Sequence, residues 1–81
     1  MSNFIIDIYR FFTDKKFELE HLGELSLYTY DELCIELKNF DKRVKFQRNT
    51  MLVTWESIHT ILVIKYNFDG DFIEKVQEKR K

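Results

Sequence analysis

The chain has no proline, two glycines and a single cysteine among its 81 residues. One cysteine, Cys34, excludes an internal disulfide, and the lack of a cysteine cluster argues against a zinc site. Without proline, the boundaries of secondary structure have to be found from periodicity, helix caps and turn residues. The length predicts one small domain over residues 1–81, with Glu78–Lys81 expected to fray.

Strong charge of either sign is also missing, because 13 Lys and Arg balance 14 Asp and Glu to a net charge of −1. Such a balance is not typical of a protein that binds polyanions. There is no long hydrophobic run either, since Asp7 and Arg10 interrupt the apolar N-terminal stretch. The N-terminus has no basic n-region and no small-residue cleavage site. We therefore expect neither a signal peptide nor a membrane span. We expect the protein to be located in the reducing cytoplasm.

Apolar residues are plentiful, at 44% of the chain with eight Phe, and the first of them predict a helix. Ser2 is a candidate N-cap, and the apolar residues after it recur at helical spacing: Phe4, Ile5, Ile8, Tyr9 and Phe12. A strand is the alternative interpretation. A further helical piece is expected to follow and to end at Gly23.

A second helix is indicated by its cap. Thr29 and Glu32 stand at the spacing of a capping box. An apolar stripe follows at positions i, i+3, i+4 and i+7, formed by Tyr30, Leu33, Cys34 and Leu37. Cys34 is thus predicted to be a buried, unreactive thiol, and Asn39–Lys42 to close the helix.

The segment from Arg43 to Gln77 predicts a four-stranded antiparallel meander whose turns set the register. A three-residue loop within Asn67–Gly70 pairs Tyr66 with Phe72. The same register then pairs Ile64 with Glu74 and Leu62 with Val76. A two-residue turn at Asp69-Gly70, which would face Tyr66 with Ile73, is the alternative. The upstream turns are predicted to pair Phe46 with Val53, Val44 with Trp55, Val53 with Leu62 and Met51 with Ile64.

These registers agree on one apolar inner face, which the second helix is expected to cover. Its members are Val44, Phe46, Met51, Val53, Trp55, Leu62, Ile64, Tyr66, Phe72 and Val76. The predicted fold is α+β: two N-terminal helical segments followed by a four-stranded antiparallel β-meander, with helix packed on one sheet face.

The opposite, outer face should be polar, yet its centre is aliphatic. Its predicted pairs are Leu52 with Val63, Thr54 with Ile61 and Lys65 with Ile73. Exposed apolar patches of this kind mark contacts. The candidate partner-binding residues are Leu52, Thr54, Ile61, Val63, Lys65, Ile73 and Lys75. Two alternatives remain: the first segment folds across this face, or β-branched residues simply favour strands even when exposed.

No motif in the sequence supports catalysis, cofactor binding or metal binding. His21 and His59 are far apart in sequence, and neither has an oriented partner that completes an acid–base pair. We therefore expect a small non-catalytic interaction or regulatory protein that binds a protein partner, or a second copy of itself, through the outer face. The alternative is an RNA- or DNA-binding accessory protein that uses the basic residues of that face.

Overall fold

The computed structural model describes residues 3–17, 19–40 and 42–80. Helices come first and strands second, and the mixed content confirms the predicted α+β fold. The helical elements are α1 (Asn3–Thr13), a 3₁₀ segment (Leu19–Leu27), α2 (Tyr30–Glu36) and a short 3₁₀ turn (Lys38–Phe40). The strands are β1 (Val44–Gln47), β2 (Leu52–Glu56), β3 (Thr60–Tyr66) and β4 (Phe72–Lys79), and they lie in the sheet in chain order.

Helix α1 buries one side against the sheet. Its side chains Ile8, Phe11 and Phe12 are buried at helical spacing, which confirms the predicted helix and excludes the alternative strand. The Phe11 and Trp55 rings meet edge to face, with their centroids 5.4 Å apart. The proposed cap at Ser2 lies outside the described residues.

The 3₁₀ segment consists of two short pieces that meet at a kink at Leu22, where φ is −101° and ψ is 34°. The first piece therefore ends beside Gly23, as predicted. Gly23 does not have the positive φ of a glycine cap, and a second piece follows it to Leu27. Leu22 and Leu25 are fully buried, so packing of these side chains onto the sheet favours continuation of the segment past Gly23.

Helix α2 begins at the predicted capping box. The Thr29 Oγ1 accepts a hydrogen bond from the Glu32 backbone N–H at 3.2 Å, and the Glu32 Oε1 accepts one from the Thr29 N–H at 3.0 Å. These bonds satisfy two backbone donors that the first turn of a helix leaves unpaired. Tyr30 and Leu33 are buried beneath the helix, as the stripe predicts.

The β1–β2 hairpin has the predicted register. Phe46 pairs with Val53 and Val44 with Trp55. Met51 closes the connecting loop with a φ of 55°, in the left-handed region that is uncommon for a residue other than glycine.

The β2–β3 hairpin is shifted by two residues from the prediction. Val53 pairs with Ile64 and Trp55 with Leu62, so the expected pairs Val53–Leu62, Met51–Ile64, Leu52–Val63 and Thr54–Ile61 are wrong. The reason is the turn. Its tip is Ile58-His59, because the Ser57 Oγ accepts hydrogen bonds from the Thr60 N–H at 3.0 Å and from the His59 N–H at 3.2 Å. A shift of two residues leaves every side chain on its predicted face.

The β3–β4 hairpin starts in the predicted register and then leaves it. Tyr66 pairs with Phe72 as expected, but Lys65 pairs with Glu74, so Ile73 is an extra residue in β4. This β-bulge reverses the faces of the rest of the strand. The predicted pairs Ile64–Glu74, Leu62–Val76 and Lys65–Ile73 are therefore wrong. The structure has Ile64–Lys75, Val63–Val76 and Leu62–Gln77 instead.

Strand β4 extends into the segment predicted to fray. The strand continues to Lys79, and the Arg80 backbone N–H donates to the His59 carbonyl at 2.8 Å. Lys81 lies outside the described residues. All of the predicted inner-face residues are buried or half-buried except Val76, which the bulge places on the opposite face.

Candidate interaction surface

The pairings define an outer face made of three rows of side chains that cross the sheet. Side chains directly opposite each other in paired strands lie on the same face, so each row can be followed from strand to strand. The first row is Gln47, Leu52, Lys65 and Glu74; the second is Lys45, Thr54, Val63 and Val76; the third is Glu56, Ile61 and Glu78.

An apolar patch occupies the middle of the outer face. We define it by its five members, Leu52, Thr54, Ile61, Val63 and Val76. The first four are half-buried, and Val76 is 53% exposed. The patch spans β2, β3 and β4 without a charged residue in its interior.

Helix α1 does not cover this patch with any side chain that the structure describes. Its buried residues Phe11 and Phe12 contact Trp55, which alternates with Thr54 along β2 and so lies on the inner face. The 3₁₀ segment packs near β4, where the Leu22 carbonyl receives a hydrogen bond from Lys75, the inner-face neighbour of Ile64. The alternative in which the first segment folds across the outer face is therefore wrong for the described side chains.

Ion pairs surround the patch. The Lys45 ammonium lies 3.5 Å from the Glu56 carboxylate, and the Lys65 ammonium lies 3.7 Å from that of Glu74. The Arg80 guanidinium also approaches Glu56, at 3.9 Å. Exposed pairs like these stabilise a fold by at most about 1 kcal/mol, so their main effect is to give the patch a charged, solvated rim.

Five of the predicted partner-binding residues lie together on the outer face. These are Leu52, Thr54, Ile61, Val63 and Lys65. Ile73 is the extra residue of the bulge and is 56% exposed.

Lys75 is on the other side of the sheet, contrary to the prediction. Its ammonium Nζ donates to the Leu22 carbonyl at 2.9 Å, and burial lowers the pKa of this amine. The bulge at Ile73 is the physical reason, because it exchanges the faces of all later β4 residues.

The sequence interpretation missed Val76 as a member of the surface. One signal for it was present: Ile73 and Val76 are three positions apart, a spacing that no regular strand places on one face. The bulge accounts for that spacing, because Ile73 is itself the extra residue and regular alternation resumes at Glu74.

The outer face is a poor match for nucleic acid. Three basic residues, Lys45, Lys65 and Arg80, are balanced by three acidic ones, Glu56, Glu74 and Glu78. None of the outer-face positions carries an aromatic side chain on which a base could stack. With Lys75 removed from this face, the alternative function loses one of its expected contacts.

Among the residues that the structure describes, the other polar groups do not assemble into a second site. Cys34 is half-buried, and burial raises the pKa of its thiol. Within the described ranges, no three His, Cys, Asp or Glu side chains are grouped so that they could hold a metal ion. The described helices are all too short or too polar to cross a bilayer.

Comparison of the chain with protein-family models, with curated proteins and with solved structures finds no match. The case for a function therefore depends on the geometry of the outer face.

Proposed function

We propose that this chain is a small non-catalytic interaction protein whose outer sheet face binds another protein surface. One observation carries the proposal: the buried side chains of the helices pack on the inner face, while the apolar patch on the other face is left uncovered by the described residues. Antiparallel sheets commonly bury one face and solvate the other, which would then be polar. An aliphatic centre with a charged rim is the usual composition of a protein interface.

Covering the patch would remove further apolar surface from water. Full burial of a Val, Leu or Ile side chain contributes about 1.5–3 kcal/mol relative to leaving it exposed. Leu52, Ile61 and Val63 are already half-buried, so the remaining gain for each is a fraction of that value. A cytoplasmic location belongs to the same proposal, since a domain with a single half-buried thiol has no need of an oxidising compartment.

Site-specific photo-cross-linking in the producing cell tests this function. A benzophenone amino acid replaces Thr54, at the centre of the patch, and any covalent product is identified by its mass. We expect an adduct with a defined protein, which includes this chain itself, and we expect Val63→Lys to abolish it. That variant places an unpaired charge in the contact.

The matched control carries the same amino acid at Ser26, an exposed polar residue on the helical side of the molecule. The control should give no specific adduct. Equal cross-linking from Thr54 and Ser26, or no adduct from Thr54, would contradict the proposed function.

A further inference from the structure

We infer that the outer face binds a second copy of this chain, related by a twofold axis that runs roughly along the strands above the gap between β2 and β3. In this arrangement β1 of one copy lies over β4 of its partner. The inference rests on the proposed function, because it names the occupant of the same surface. The distribution of charge across the sheet supports this arrangement.

The two edges of the outer face carry opposite charge. On β1 the outer positions are Lys45 and Gln47, so that edge is basic. On β4 the charged outer positions are Glu74 and Glu78, with Arg80 just beyond the end of the strand and directed at Glu56, so that edge is acidic on balance. A surface with one basic and one acidic edge can be complementary to itself, as a twofold interface requires.

The orientation follows from the two ways in which such sheets can align. Packed sheets keep their strands within about 30° of each other in the aligned class. A twofold axis across the strands would put Lys45 opposite the partner's Lys45, and the acidic β4 edge opposite its own copy. An axis along the strands instead puts Lys45 opposite the partner's β4, in the row between Glu74 and Glu78. Like charges disfavour the first arrangement and opposite charges favour the second.

The centre of the patch fits the same arrangement. When β2 lies over the partner's β3, Thr54 faces the partner's Val63, because both occupy the middle row. Leu52 then faces the partner's Lys65 and Ile61 faces the partner's Glu56, so the apolar stems of these longer side chains lie against the aliphatic residues on either side of the middle row. No residue outside the outer face is needed to complete the contact.

The size of the face indicates a weak dimer. Four strands about 4.8 Å apart, with about five residues each at 3.4 Å, cover roughly 19 by 17 Å. With the relief of the side chains this buries on the order of 500 Å² per copy, close to the lower limit of about 1,000 Å² in total for specific interfaces. The fraction of protein that is dimeric should therefore increase measurably with protein concentration.

Cysteine cross-linking distinguishes the two orientations. In a Cys34→Ala background, one protein carries Lys45→Cys and another carries Val76→Cys, and a short bis-maleimide is added to each protein and to their mixture. Lys45 and Val76 share the middle row at opposite edges. With the axis along the strands, each residue faces the other across the interface. The two copies of the same residue, for example Lys45 and the partner's Lys45, are then separated by about 14 Å across the strands and by about 10 Å between the two sheets.

We expect a cross-linked dimer in the mixture and no cross-linked dimer in either protein alone. A Lys45→Cys protein that cross-links to itself would overturn the orientation. Absence of cross-linking in all three samples, or a wild-type protein that sediments as a monomer at every concentration, would overturn the second copy as the occupant. Neither result would touch the proposed function, which the Thr54 adduct tests separately and which a different partner protein would still satisfy.

Discussion

The Lys75 ammonium Nζ donates a hydrogen bond to the Leu22 backbone carbonyl over a distance of 2.9 Å. This bond links β4 to the 3₁₀ segment on the inner side of the sheet, across from the apolar patch. Lys75 is half-buried there, and desolvation lowers the pKa of its amine. Its contribution is therefore expected in the stability of the fold and not in association.

Replacement of Lys75 by Met should destabilise the protein without changing its association. Methionine keeps most of the apolar stem and removes the donor, which costs about 1 kcal/mol for the lost hydrogen bond. Chemical denaturation measures the free energy of unfolding, and sedimentation measures association. Lys79→Met, at the exposed end of the same strand, is the control and should change neither quantity.

Val63→Lys should disrupt association and leave the fold intact. Val63 is half-buried in the middle row of the outer face, where a lysine would oppose the partner with an unpaired charge. Ile58→Lys is the matched control, since Ile58 is also β-branched but is 79% exposed at the β2–β3 turn. Sedimentation velocity over a concentration series should show a monomer for the first variant only. Equal behaviour of the two variants would exclude the apolar patch as the contact.

Tyr66→Phe should keep or increase stability, although the residue is in the core. Tyr66 is 4% exposed, and its buried hydroxyl has no hydrogen-bond partner among the described residues. A buried polar group without a partner costs about 1–3 kcal/mol, so removal of the oxygen relieves that cost and retains the ring contacts. A large loss of stability on chemical denaturation would show that the hydroxyl has a partner after all.

The same hydroxyl predicts a loss of stability at alkaline pH. Burial raises the pKa of Tyr66 far above the usual tyrosine value of about 10. Above that pH the unfolded chain loses the proton and the folded chain keeps it, so the free energy of unfolding falls as pH rises. Tyr66→Phe should make the decline above about pH 10 shallower. Part of the decline in the free energy of unfolding should persist in this variant, because burial also raises the pKa of Tyr28 and of Tyr30.

Cys34 should react slowly with thiol reagents in the native protein. The thiol is half-buried on α2, and burial is the main cause of its raised pKa, so little thiolate is present near neutral pH. The rate of labelling should increase with pH and should rise sharply in denaturant. Equal rates in the folded and denatured protein would contradict this expectation.

Much of the fold could be predicted because several local signals agree. Alternation along β2 and β3 assigned Val53, Leu62 and Ile64 to the inner face, and the capping box at Thr29 located α2. The β2–β3 pairing could not be chosen by alternation, since registers that differ by two residues present the same faces. In the structure the hydrogen bonds of Ser57 place the turn at Ile58-His59, and the register follows from that turn.

The surface was harder to predict than the core. Leu52, Thr54, Ile61 and Val63 follow from alternation, but the assignment of β4 depends on a bulge that the turn residues do not specify. The hydrogen bond of Lys75 to Leu22 joins positions 53 residues apart and favours the bulged pairing. Such a long-range contact leaves no local pattern in the sequence.

The bulge at Ile73 has a consequence in genetic terms. Loss of this one codon would join Phe72 to Glu74 and make the ladder regular, while Lys75 and Gln77 stay on the inner face and Val76 and Glu78 on the outer face. Loss of a later codon, such as that of Gln77, would instead turn Glu78 inward and so change the outer face. Loss of a codon in the β1–β2 loop would leave β4 unchanged. For this chain, the spacing of codons in the last strand determines which residues are available to a partner.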